Sequence, residues 1–93
     1  MHVDKAKKRI AKQVKKGLKG YPIICLTYFG KDEQCATEVV ISFTLEEGAP
    51  AQEERFVSKN DAREDEVIQT TLVKIIERAN ASSVIEVAGV KII

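Results

Sequence analysis

Length, composition and charge exclude several classes of protein at the outset. The chain has 93 residues, of which 44% are hydrophobic and 31% charged, with two cysteines and a formal net charge of +1. This apolar content excludes a disordered chain, and two cysteines are too few for a disulfide scaffold. The longest nearly unbroken apolar run, 21–29, is too short for a membrane helix, and the polar, basic segment 1–20 is unlike a signal peptide. We therefore expect a single cytoplasmic domain over residues 1–93, with no membrane association.

The small net charge is the sum of two opposed blocks. Residues 1–20 contain eight Lys or Arg against one Asp, a balance of +7. Residues 31–66 contain eleven acids against four bases, a balance of −7. Charge separated in this way indicates surfaces of opposite sign within one domain.

The basic block predicts an amphipathic helix over about 3–18. Its apolar residues recur three or four positions apart on one stripe: Val3, Ala6, Ile10, Val14 and Leu18. Most of its cations fall within an opposite arc of about 120°. Asp4 suits the positive end of the helix dipole, and Gly17 and Gly20 are expected to end the helix.

Three strands are predicted next. The segment 23–29 is apolar at alternate positions on both faces, which indicates a central strand covered on both sides. A polar connection over 30–34 leads to a second strand, 37–45, whose alternation predicts one buried face. After a loop, a short charged strand over 54–58 suits the edge of a sheet.

The rest of the chain predicts a second helix and a last strand. Apolar residues over 67–79 follow the spacing of a helix with a broad buried face, and 83–90 is rich in β-branched residues. The candidate N-cap residues of this helix are Asn60, Asp61 and Asp65. The order α-β-β-β-α-β predicts an α+β fold, with a mixed four-stranded sheet in the order 3-2-1-4 packed against two helices.

No catalytic constellation accompanies this fold. A strand meander followed by a helix and a parallel strand also begins the ribonuclease-H-like fold, but that chemistry needs converging carboxylates. The first predicted strand has no Asp or Glu, and Glu86 on the last strand has no matching partner. His2 stands alone near a terminus, and Cys25 and Cys35 lack a CxxC spacing. We therefore expect no enzyme activity, no catalytic residue, no metal site and no cofactor.

A disulfide is not expected either. Counting outward from a turn centred near Lys31 and Asp32 places Cys25 opposite Glu38. The same register places Cys35 on the far side of the hairpin, opposite Tyr28 rather than opposite a cysteine.

The basic face of the first helix is the candidate functional surface. Its candidate nucleic-acid-binding residues are Lys8, Arg9, Lys12, Lys15, Lys16 and Lys19. Such cations could neutralise several phosphates, but the helix lacks side chains suited to reading bases, so binding would be independent of sequence. A solvated face or an internal charge match, nucleic acid, and a protein partner or membrane surface all stay open as interpretations. The small residues on the apolar stripe count against a membrane.

A resemblance to a protein family follows from three features. These are the Lys-rich helix, the segment Gly20-Tyr21-Pro22-Ile23 that opens a strand ending in Tyr28-Phe29-Gly30, and a Val-rich second strand from Ala36. Together they resemble a family of small uncharacterised bacterial α/β proteins, through to Ser82-Ser83-Val84. Longer members continue into a Cys/His tail that implies a metal site. This sequence lacks the tail, so the resemblance implies neither a metal nor an activity here.

Two functions are consistent with these observations. The first is a non-enzymatic role through protein–protein contacts, for which a homodimer is one form. The alternative is sequence-nonspecific nucleic-acid binding through the basic helix.

Overall fold

The computed structural model describes residues 2–93, and its elements follow the predicted order. They are α1 (Val3–Lys15), β1 (Ile23–Gly30), β2 (Glu38–Thr44), β3 (Gln52–Val57), a 3-10 turn (Ala62–Glu64), α2 (Glu66–Ala79) and β4 (Ser83–Ile92). The strands form one sheet in the order β3-β2-β1-β4. Strand β1 is antiparallel to β2 and parallel to β4. The predicted α+β class and the predicted strand order are confirmed.

Helix α1 ends earlier than the predicted boundary near residue 18. Lys16 is its C-cap, and Gly17 follows with a φ of 73°, a left-handed conformation that glycine adopts at little cost. Leu18 therefore lies outside the helix, where 69% of its surface is exposed. The apolar stripe of α1 consists of its earlier members, and of these Ala6 and Ile10 are buried.

The segment after α1 is fixed to the sheet by one buried serine. The hydroxyl of Ser83 accepts a hydrogen bond from the Lys19 N–H at 2.7 Å and donates to the Gly20 carbonyl at 2.8 Å. The Tyr21–Pro22 peptide bond that follows is cis. The end of the basic segment is thus held at the start of β4, more than sixty positions away in sequence.

The connection between β1 and β2 differs from the prediction. Asp32 Oδ1 accepts hydrogen bonds from the N–H groups of Gln34 and Cys35, at 2.9 and 3.0 Å, and this side-chain turn widens the connection. Phe29 therefore pairs with Glu38, and the register predicted from a turn at 31–32 is wrong. Gly30 allows the close return of the chain, because a Cβ there would lie 2.1 Å from the Cys35 carbonyl oxygen.

Helix α2 is capped at both ends. Of the three candidate N-caps, Asp65 is the one used: its carboxylate accepts from the Ile68 N–H at 3.1 Å and from the Ser58 hydroxyl at 2.9 Å. Asp61 instead caps the 3-10 turn. At the other end Asn80 takes the left-handed conformation, with a φ of 51°.

The hydrophobic core lies on one face of the sheet, beneath both helices. Alternate residues of β1, among them Ile24 and Leu26, are fully buried there. They cluster with Ile10 of α1 and Leu72 of α2. The intervening residues of β1, such as Cys25, are only partly buried. The prediction that β1 is covered on both sides is therefore wrong, because both helices pack in one layer.

The dimensions agree with this two-layer arrangement. The shortest principal extent is 19 Å, comparable with one sheet and one helix layer about 10 Å apart. Within residues 2–93, no helix combines the length and the apolar character that crossing a membrane requires.

Candidate functional site

The basic face is presented to solvent because the opposite side of α1 faces the core. Ala6 and Ile10 anchor the helix, and the predicted site residues point away from them. Lys8, Arg9, Lys12, Lys15, Lys16 and Lys19 are all exposed. Four of them lie within α1, whereas Lys16 is its C-cap and Lys19 lies in the segment fixed by Ser83.

Two cations of the segment are engaged by acids. Arg9 Nη1 lies 3.3 Å from Glu77 Oε1 on α2, and Lys7 pairs with Glu64 of the 3-10 turn. Both pairs are half-exposed, so each contributes little to stability. Their consequence is positional: Arg9 is turned towards α2, away from the open lysines.

Six lysines of the segment form no ion pair within the described part of the chain. They are Lys5, Lys8, Lys12, Lys15, Lys16 and Lys19. Lys5 joins this open set although it was not among the candidate binding residues predicted from the sequence. The acidic block does not neutralise them, because much of it lies on β3 and its flanking loops. Strand β3 is one edge of the sheet, whereas α1 packs by β4 at the other edge.

A polar cleft of about 550 Å³ opens beside α1. It is lined by side chains from five elements, including Lys7, Tyr28, Asp61, Arg63, Gln69 and Glu86. One wall is the irregular part of β4, where the pairing with β1 shifts between Leu26 and Tyr28 and Gly89 adopts a φ of 75°. The cleft lies towards the carboxyl end of the parallel strands, a common position for ligands in such sheets.

The floor of the cleft is a buried phenol. Gln69 Nε2 donates to Tyr28 Oη at 3.0 Å and to the Ala62 carbonyl at 2.9 Å. Burial raises the pKa of Tyr28, and the hydrogen bond from Gln69 acts in the opposite direction. The hydroxyl therefore stays protonated at neutral pH. Sequence reasoning missed this pair, although a glutamine at a core-facing position of α2 was the available signal.

Arg63 and Asp61 bind each other at the rim. Arg63 donates through Nε to Asp61 Oδ1 at 3.0 Å and through Nη2 to Oδ2 at 2.8 Å, a bidentate geometry. This interaction lowers the pKa of Asp61 and raises the pKa of Arg63. Arg63 Nη2 also donates to the Gln34 carbonyl at 3.0 Å, which ties the rim to the β1–β2 connection. The pair is thus a structural link between two loops.

Glu86 is the carboxylate of the cleft that lacks a close cation. It lies on the core-facing side of edge strand β4, where α1 covers it in part. This burial raises the pKa of Glu86, and the positive charge of Lys7 opposes the increase. Asp61 and Glu64, the other acids of the cleft, are engaged by Arg63 and Lys7. No group of three or more His, Cys, Asp or Glu among residues 2–93 is arranged to hold a metal ion.

The second open surface is the uncovered face, which we define as the side of the sheet away from the helices. Pairing places on it Ile23, Cys25, Thr27, Phe29, Glu38, Val40, Ser42, Thr44, Glu53, Arg55, Val57, Ser83, Ile85 and Lys91. Of these, Val40 and Ser83 are buried. The side chain of Arg55 lies across this face. Its Nη1 is 2.9 Å from Glu38 Oε2, and its Cζ is 6.0 Å from the centre of the Phe29 ring. Apolar area nevertheless stays open: Val57 is 68% exposed and Ile85 36%. Both Cys25, on this face, and Cys35, on the β1–β2 connection, are free thiols.

Comparison with protein-family models, with curated proteins and with solved structures finds no match to this chain.

Proposed function

We propose that the protein acts through protein–protein contacts, and that it associates with a second copy of itself through the uncovered face. One observation carries the proposal. Strand β1 is apolar on both faces, yet the two helices cover only the face that contains Ile24 and Leu26. On the other face the apolar side chains of Ile23, Cys25 and Phe29 are only partly buried, and a sheet face that the chain leaves uncovered is a candidate interaction surface.

The size of the uncovered face suits a reversible dimer. Four strands spaced about 4.8 Å apart, with about seven residues each, span roughly 400 Å² in projection. Two such faces together give roughly 800 Å² in projection, which is below the range of stable interfaces and within that of weak, transient ones. Association is therefore expected to depend on concentration rather than to be permanent.

The charges of the uncovered face also favour a second copy. It carries two acids and two bases, Glu38, Glu53, Arg55 and Lys91, so two copies meet without net repulsion. The edge of β3 is a poorer contact, because half of the residues in that strand are charged. A symmetric dimer uses the same patch twice and leaves no open end for further growth.

Sedimentation velocity over a wide range of protein concentration tests the proposal. We expect the wild-type chain to shift from monomer to dimer as concentration rises. Val57→Lys and Ile85→Lys place a charge on the uncovered face and should keep the chain monomeric. Val67→Lys is the matched control, because Val67 is 74% exposed on α2 in the opposite layer. A wild-type chain that stays monomeric throughout, or a dimer that survives both face variants, overturns the proposal.

Crosslinking gives a second readout of the same contact. Cys25 lies on the central strand of the uncovered face, whereas Cys35 lies on the β1–β2 connection. A short bis-maleimide should therefore link two copies in the wild type and in Cys35→Ser, but not in Cys25→Ser. Linkage that depends on Cys35 instead would place the contact elsewhere. The cytoplasmic location and the lack of enzyme activity remain predictions that accompany this proposal.

A further inference from the structure

The open lysines of the basic face have no part in the proposed dimer. We propose that they form a track that binds the phosphate backbone of nucleic acid without regard to base sequence. The track consists of Lys5, Lys8, Lys12, Lys15, Lys16 and Lys19. Arg9, which the sequence pattern had included, is replaced by Lys5 because Arg9 is held by Glu77.

The helix geometry arranges most of the track along one side of α1. At about 100° per residue, Lys5, Lys8, Lys12, Lys15 and Lys16 occupy an arc of roughly 100° on one side of the axis. Lys16 continues this line because its backbone conformation, φ −67° and ψ −17°, is still helical. With a rise of about 1.5 Å per residue, Lys5, Lys8, Lys12 and Lys15 lie about 5 Å apart along the axis, and Lys16 lies about 1.5 Å beyond Lys15. The arrangement is a broad row of positive charge along one side of α1.

The row matches the charge spacing of a nucleic acid. It extends for roughly 16 Å, over which one strand of a duplex carries about five phosphates. Lysine is a flexible point charge, so each ammonium group can reach a phosphate without a fixed orientation. The hydrogen bonds of the Ser83 hydroxyl to the Lys19 N–H and the Gly20 carbonyl fix the backbone at the far end of the row.

Two observations favour nucleic acid over a membrane surface or a protein partner. The apolar residues Ala6 and Ile10 are buried in the core, so α1 has no free apolar face to insert into a membrane. The row also lacks the aromatic and large apolar anchors that dominate protein interfaces, in which lysine is depleted. What the row offers is regular charge, which is what a phosphate backbone binds.

This inference is independent of the proposed dimer. The basic face belongs to the helix layer and the uncovered face to the opposite side of the sheet, so either could fail alone. Variants on one surface therefore serve as controls for the other.

Fluorescence anisotropy with a labelled duplex DNA and a labelled single-stranded RNA, each about 20 nucleotides long, tests the track directly. With about four phosphates neutralised, raising salt from about 50 to about 200 mM should weaken duplex binding about 150-fold and single-strand binding about 50-fold. Two duplexes of different sequence should bind alike. Absence of binding at the lower salt concentration overturns the proposal.

Charge-matched variants locate the binding surface. The triple variant Lys8→Ala, Lys12→Ala and Lys15→Ala should lose at least about tenfold in affinity at the lower salt and should flatten the salt dependence. The control triple variant, Lys31→Ala, Lys59→Ala and Lys74→Ala, removes the same charge from exposed lysines elsewhere and should bind within about twofold of the wild type. Circular dichroism checks that both variants are folded.

Two further arms separate the track from general polyanion attraction. Arg9→Ala should leave nucleic-acid affinity close to the wild-type value, whereas Lys12→Ala should lower it. Anionic phospholipid vesicles and polyglutamate should bind more weakly than the nucleic acids at equal salt. Equal loss in both triple variants, or stronger binding to vesicles or to polyglutamate, overturns the proposal.

Discussion

The two faces of the sheet are made from the same strands but differ in what covers them. On the core face, Ile24 and Leu26 are fully buried under the helices, whereas on the uncovered face Cys25 and Ile85 stay partly open. The sequence of β1 thus shows that both of its faces carry apolar side chains. The packing of the helices determines which of these side chains are buried. Apolar side chains that the rest of the chain leaves uncovered are typical of a surface that contacts another molecule.

Cavity formation should separate the two faces most clearly. Leu26→Ala removes a fully buried side chain and should lower the free energy of unfolding by about 3 kcal/mol. Ile85→Ala, on the other face, should cost less than about 1 kcal/mol in dilute solution, because its site is already partly hydrated. Urea denaturation measures both values. Equal costs at low concentration would contradict the contrast between the faces.

The cap of α2 should give the next largest effect, because it anchors the layer that covers the core face. Asp65→Ala removes the acceptor of the Ile68 N–H and of the Ser58 hydroxyl, and should cost about 1 to 2 kcal/mol. Glu66 lies in the first turn, where its charge interacts favourably with the helix dipole, so Glu66→Ala should cost a few tenths of a kcal/mol. A similar cost for both variants in thermal unfolding would show that the cap is not used.

The buried hydrogen bond under the cleft should come third. Tyr28→Phe leaves Gln69 Nε2 with the Ala62 carbonyl as its remaining acceptor, and should cost about 1 kcal/mol. Tyr21→Phe is the matched control, since Tyr21 is 42% exposed, and should leave the free energy of unfolding unchanged. Chemical denaturation of the two variants side by side checks the difference.

The smallest effects should appear in the dependence of stability on pH, and they should have opposite signs. The pKa of Asp61 is lowered by Arg63, so its contribution is present at neutral pH and is lost as pH falls through that lowered pKa. The pKa of Glu86 is raised by burial, so its ionised form costs stability at neutral pH, and this cost disappears as pH falls through the raised pKa.

Two amide variants test these signs. Asp61→Asn should destabilise the protein at about pH 7, and Glu86→Gln should stabilise it there, with both differences vanishing at sufficiently low pH. Denaturation midpoints measured across the acid range give the comparison. Effects of the same sign at neutral pH would contradict the assignment of cause for one of the two groups.

Much of the fold follows from local patterns in the sequence. The 3.6-residue period of α2, the alternation in β2 and the handedness of the crossover were sufficient to predict the elements and the strand order. Each of these depends on neighbours in sequence or on a general rule of chain connection. The boundary of α1 was less accurate, because Gly17 ends the helix while the apolar period runs on to Leu18.

The features that escaped prediction depend on distant contacts. Gln69 meets Tyr28 across forty-one positions and Arg9 meets Glu77 across sixty-eight, separations that no local pattern encodes. The register between β1 and β2 was predicted wrongly for a different reason, since the Asp32 side chain replaces a backbone turn. The lack of cover on one face could not be foreseen either, because periodicity reveals an apolar surface without revealing what packs on it.

The pairing of β1 with β4 has a consequence for the order of assembly. Ile23 pairs with Ser83, so the closure that completes the sheet joins segments sixty residues apart. The antiparallel meander of β1, β2 and β3 needs shorter loop closures and can form first. Helix α1 packs on α2 and β4, the last two elements of the chain, so its contacts join the two ends of the sequence. We therefore expect the lysine-rich segment to dock after the meander has formed.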